Sequence, residues 1–118
     1  MQLNHLNLPV TDALTATLFL EKYFGLKRRE GVEPKTTFAM LTDNHGMVLT
    51  LIRAGEGKIV DYPATFHVGF IQESESRVNE IYQLLQADGF EAPPPSRFHG
   101  SWTFYFQAPG GFTIEVLG

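Results

Sequence analysis

One order of elements is written twice along this chain, and the repeat restricts the fold more than any other feature. The run "LNHLNLPV" at 3–10 reads as a strand, and "VTDALTATLFLEKYFGL" at 10–26 as a helix. Asp12 is placed to cap that helix by accepting a backbone N–H. Leu14, Leu18 and the Phe19–Leu20 and Tyr23–Phe24 pairs give it an apolar stripe, and Gly25 sits where a left-handed residue would end it. "KTTFAML", the turn "DNHG" and "MVLTLI" follow as strand, turn and strand, and "KRREGVEP" has room for one more short strand. The polar, glycine-containing "AGEGKIVDYP" at 54–63 is the expected linker.

The order then restarts. "TFHVGFI" reads as a strand and "SESRVNEIYQLLQADGF" as a helix, with Ser74 as cap, Val78, Ile81, Leu84 and Leu85 as its buried stripe and Gly89 as its stop. "EAPPPSRFHGS" reads as an irregular loop, followed by the strand "WTFYF", the turn "QAPGG" and the strand "FTIEVL". His5 falls on His67 at an offset of 62, Gly25 on Gly89 at 64, Gly46 on Gly111 at 65 and Phe38 on Phe104 at 66. The expectation is one domain of two repeats, about 1–56 and 64–118, each a β-α-β-β-β module. Alternation along "WTFYF" puts Trp102, Phe104 and Phe106 on one face and Thr103 and Tyr105 on the other, and only one set can face a cleft.

The repeat gives the histidines a meaning that each alone would lack. Both occupy the same place, the third residue of a module's first strand. In the same register Thr50 matches Glu115, a carboxylate set between Ile114 and Val116. A carboxylate inside an apolar strand is costly unless it is paired or bound to a metal. Two imidazoles and one carboxylate on strands that could line one cleft form the donor set of a facial triad. Imidazole with carboxylate suits Fe, Mn, Co, Ni or Zn as one divalent ion. Asn7 follows His5 by two residues and shares its face, as a polar lining residue. Arg97 carries a fork suited to an anionic group, and His99 in the same loop is a candidate general base or substrate contact.

Composition excludes several other classes. A net charge of −4 and no basic stripe argue against nucleic acid, and no apolar run approaches the roughly 20 residues of a membrane span. There is no cysteine, so neither disulfides nor thiolate metal sites enter. With an N-terminus unlike a signal peptide, the expected setting is cytoplasmic.

"LNHLNLPV", "FHVGF" and "APGGFTIEVLG" resemble, across the whole chain, the vicinal oxygen chelate superfamily of glyoxalases, bleomycin-resistance proteins and extradiol dioxygenases. The resemblance implies an α+β fold of two βαβββ modules whose curled mixed sheets form a metal-binding cleft. It implies His5, His67 and Glu115 as ligands of a divalent metal, and a small-molecule substrate that chelates it through adjacent oxygens. It places Thr103 and Tyr105 at substrate-contacting positions; Tyr105, and His99 from its place in the loop, are the catalytic candidates. Thr50 stands where glyoxalase I needs a glutamate as ligand and base, which disfavours that activity. The expected function is therefore a metal enzyme of the lyase, dioxygenase or thiol-transferase kind. The alternative is a metal-free drug-binding protein similar to the bleomycin-resistance proteins. Such chains often form homodimers, with the modules pairing inside one chain or exchanged between two.

Overall fold

A computed structural model describes residues 1–55 and 58–118; two residues of the expected linker lie outside it. The chain divides into two compact units, one of residues 1–62 with 109–111, the other of 63–108 with 112–118.

The first unit contains β1 (His5–Val10), α1 (Ala13–Phe24), β2 (Lys27–Arg28), β3 (Phe38–Thr42) and β4 (Val48–Arg53). Its sheet runs in the order β1-β4-β3-β2, with β1 parallel to β4 and the other pairs antiparallel. Asp12 accepts the Thr15 N–H at 2.8 Å and starts α1. Gly25 ends it with φ +68°, a left-handed conformation that glycine adopts without a Cβ penalty, and donates its N–H to the Leu20 carbonyl. Strand alternation buries Leu8, Val10, Ala39, Leu41, Leu49 and Leu51, which meet Ala16, Phe19, Leu20 and Tyr23 of the helix. The helical stripe differs from expectation, with Leu14 and Phe24 only half-buried. Leu18 is 49% exposed, and buried Ala16 and Thr17 take the inner face. The Thr17 hydroxyl is satisfied by donating to the Ala13 carbonyl, so it costs little to bury.

The second unit repeats the plan with β5 (Val68–Ile71), α2 (Glu75–Ala87), β6 (Ser96–Phe98), β7 (Ser101–Ala108) and β8 (Phe112–Leu117), in the order β5-β8-β7-β6. Ser74 caps α2 by accepting the Arg77 N–H. Val78, Ile81 and Leu85 are buried, whereas Leu84 is 48% exposed. Phe104, Phe106, Phe112, Ile114 and Val116 complete this core. Trp102 turns to the helix, donating its indole N–H to Asn79 at 2.8 Å. The split of β7 into two sets is as the alternation indicated, and the aromatic set is the one that faces the helix, as the family resemblance implied.

Three boundaries depart from the sequence reading. The stretch expected to be an irregular loop holds β6, hairpinned to β7 through His99 and Gly100, both at positive φ, 50° and 80°. The histidines are not third in their strands: His5 opens β1 and His67 immediately precedes β5. The repeat register also shifts in one place. Asn7, Thr50 and Met40 lie on one rung, and Gly69, Glu115 and Tyr105 on its counterpart. Phe38 therefore corresponds to Thr103, not Phe104. A one-residue slip would have put it on the opposite face of the sheet.

Candidate functional site

Each sheet has one face on its helix and one face turned away, and the chemistry sits on the second. In the second unit Glu115 projects from the middle of β8, its side chain 13% exposed. Its Oε1 lies 3.4 Å from Nε2 of His67. Its Oε2 accepts the Thr103 hydroxyl at 2.8 Å, a group that also lies 2.9 Å from the Val116 carbonyl. Gly69 lies opposite Glu115 on β5. Tyr105 is opposite Glu115 on β7, and its ring meets that of His67 edge-on at 5.2 Å. Burial, then the hydrogen bond to Glu115 and the charge of that carboxylate, push the Tyr105 phenol above its ordinary value of 10.0. Tyr105 is thus a proton donor over the whole neutral range and not a phenolate base.

The His67 ring is oriented from behind. Its Nδ1 is 3.0 Å from the Thr65 carbonyl, which can only accept, so Nδ1 carries a proton. Neutral His67 then presents the Nε2 lone pair to a carboxylate oxygen. Two acceptors facing each other need a cation between them, either a proton or a metal ion. A separation of 3.4 Å lets both atoms reach one ion at the roughly 2.0–2.2 Å of imidazole and carboxylate bonds. The donor pair fits a divalent metal, and the Thr65 contact is the outer support that metal-bound histidines generally have.

In the first unit His5 has its Nδ1 3.0 Å from Asn4 Oδ1, again leaving Nε2 outward. Thr50 donates to Asn7 Oδ1 at 2.7 Å. Asn7, Thr50 and His5 line an open pocket of about 480 Å³ with Asn4, Arg29 and Met40 among its walls. Arg29 was not singled out from the sequence; only the β2–β3 pairing puts it on this face.

Two expected site residues are engaged elsewhere. Arg97 pairs with Glu75 of α2 at 2.9 Å and lies over the Trp102 ring at 5.4 Å, on the helix side of the sheet. His99 sits at the tip of the β6–β7 hairpin with its ring against Phe98. Thr103 is on the expected face, but at 2% exposure it touches Glu115 and not solvent. Within one unit the structure thus gathers His67, Glu115, Thr103 and Tyr105, and within the other His5, Asn7 and Thr50. Among the described residues no group of three or more His, Cys, Asp or Glu is assembled at a single point.

The family profile described as the glyoxalase/bleomycin resistance protein/dioxygenase superfamily matches residues 2–116. The chain belongs to this superfamily. It is similar to the structure of a possible glyoxalase from Bacillus cereus, with 52% identity, a TM-score of 0.87, and coverage of 100% of this chain and 99% of that one. A lactoylglutathione lyase from Agrobacterium tumefaciens shares the superfamily fold at 19% identity and a TM-score of 0.74, over 98% and 92% of the two chains. The oxidase ChaP-H2 does so at 20% identity and 0.78, over 99% and 92%. Among curated proteins none matches. The two-module α+β architecture is the glyoxalase-like fold, and members of the superfamily typically bind a divalent metal and act on small molecules. No helix among the described residues is long and apolar enough to cross a membrane.

Proposed function

We propose that this protein is a divalent-metal enzyme that acts on a small molecule bearing vicinal oxygens, with His5, His67 and Glu115 as the ligands of one ion. The observation that carries the reading is the His67–Glu115 pair, in which a lone pair and a carboxylate oxygen converge with the ring proton committed to the Thr65 carbonyl. The third donor, His5, comes from the first module of the same chain or of a second copy in a homodimer. The bound ion would act as a Lewis acid on the substrate oxygens, stabilising negative charge as it develops.

The chain's own residues supply the rest. Thr103 holds Glu115 by its outer oxygen. Tyr105, opposite Glu115 across the β7–β8 ladder and kept protonated, can offer its proton to a substrate oxygen. Asn7 and Thr50 offer an amide and a hydroxyl to a neutral substrate group. Thr50 cannot accept a proton from carbon, so proton abstraction of the glyoxalase I kind is disfavoured.

The test is metal content by plasma mass spectrometry after chelation and reloading with Fe(II), Mn(II), Co(II), Ni(II) or Zn(II). Wild type is expected to retain about one ion per site, and His5→Ala and Glu115→Ala to retain none. A wild type that takes up no ion would refute the reading and favour a metal-free binding protein.

A further inference from the structure

We infer that the open face of the first module binds the anionic end of a largely apolar ligand, with Arg29 as its anchor. The strand register defines what that face carries. His5, Asn7 and Pro9 come from β1, Val48, Thr50 and Ile52 from β4, Phe38, Met40 and Thr42 from β3, and Lys27 with Arg29 from the β2 edge. In a chain of net charge −4, this face holds two cations and no carboxylate among the described residues.

Arg29 differs from its neighbours in what it touches. Arg28 forks onto Glu21 at 2.8 and 3.2 Å, Arg77 pairs with Glu80, and Arg97 with Glu75. The guanidinium of Arg29 instead lies on the Met40 sulfur at 3.2 Å. A thioether is a weak acceptor and neutralises nothing, so the planar fork faces the pocket with no counter-charge among the described residues. Phe38, Met40 and Val48 give the same pocket apolar walls, and its volume is about 480 Å³. Carboxylate and phosphoryl groups are the acceptors whose geometry matches that fork.

The row Asn7–Thr50–Met40–Arg29 spans three strand spacings, about 14 Å between the outer backbones. A ligand that uses both ends therefore carries its anionic group several bonds away from the part near His5 and Asn7. This names the substrate class of the proposed enzyme and rests on that reading only in calling the ligand a substrate; the binding itself needs no metal.

The test is titration of metal-free, ¹⁵N-labelled protein followed by amide and arginine side-chain resonances. The probes are 3-phenylpropionate, phenyl phosphate and the neutral 3-phenylpropanol. Saturable shifts at Arg29, Met40 and Thr50 are expected with at least one anion, with affinity at least about tenfold above the alcohol. Whichever anion binds more tightly identifies the group as carboxylate or phosphoryl. Arg29→Gln, at an exposed side chain where folding is not at stake, is expected to abolish the preference, while Arg97→Gln leaves it intact. No saturable shift with either anion, equal binding of the alcohol, or an undiminished preference in Arg29→Gln overturns the inference. Because no metal is present, none of these outcomes bears on the His5–His67–Glu115 reading, which the metal-content measurement decides alone.

Discussion

Replacing Thr103 by valine tests whether the carboxylate at the centre of the second module is held in place by design of its surroundings. Thr103 is 2% exposed, and its one hydroxyl proton lies within reach of Glu115 Oε2 at 2.8 Å and the Val116 carbonyl at 2.9 Å. The charged oxygen is the stronger acceptor. Valine has nearly the same shape and removes only the donor. A hydrogen bond to a charged group contributes about 1.5–3 kcal/mol, while the extra buried methyl returns about 0.8 kcal/mol. The net loss is about 1–2 kcal/mol, equivalent to about a five- to thirtyfold change in an equilibrium constant. Losing that support frees the Glu115 side chain to rotate, and metal affinity should fall by that factor, in line with losses of about 10–100-fold for outer-shell partners. The assay is calorimetric titration with Zn(II) or Co(II), with urea unfolding run beside it. Thr103→Ser retains the hydroxyl and should stay close to wild type. If Thr103→Val binds the ion as tightly as wild type while Glu115→Ala does not bind it, the orienting role is refuted.

Three further expectations concern stability. The Tyr62 hydroxyl donates to the Pro9 carbonyl at 2.6 Å, and burial pushes its phenol up. Its folded-state value lies above the unfolded one, so this contribution is complete below about pH 10 and is lost as pH rises through the folded value. Tyr62→Phe should flatten that alkaline limb in urea melts and cost about 1 kcal/mol at neutral pH. Asp12→Ala removes the α1 cap and should lower stability by about 1 kcal/mol, with Asp12→Asn keeping most of it. Phe112 is fully buried, and Phe112→Ala should cost about 3–5 kcal/mol by chemical denaturation. A loss below about 1 kcal/mol would mean that the second module repacks around the gap.

Much of this was legible in the chain itself. Helix ends were readable because caps are local chemistry: Asp12 and Ser74 each need a backbone N–H only three residues away. The repeat was readable because each module writes the same periodicities in the same order. Glu115 stood out because a carboxylate between Ile114 and Val116 has no cheap explanation. Alternation separated Thr103 and Tyr105 from Trp102, Phe104 and Phe106, and the family resemblance indicated which set turns from the helix.

What the sequence could not decide depended on pairing between strands. Arg97 carries the chemistry of an anion site, yet its place opposite Trp102 turns it to Glu75 on the helix side. Arg29 gave no local signal and acquires its position only because it lies beside Met40 across the β2–β3 edge. The register of Phe38 slipped by one because loop lengths differ between the modules, and only the ladder reveals which residue faces which. Leu18 and Leu84 read as stripe residues because apolar side chains at helical spacing look alike whether or not a sheet covers them. Local order and residue chemistry were thus set by the sequence. Which side chains meet was set by the register between strands, since a shift of one residue moves a group to the other side of its sheet.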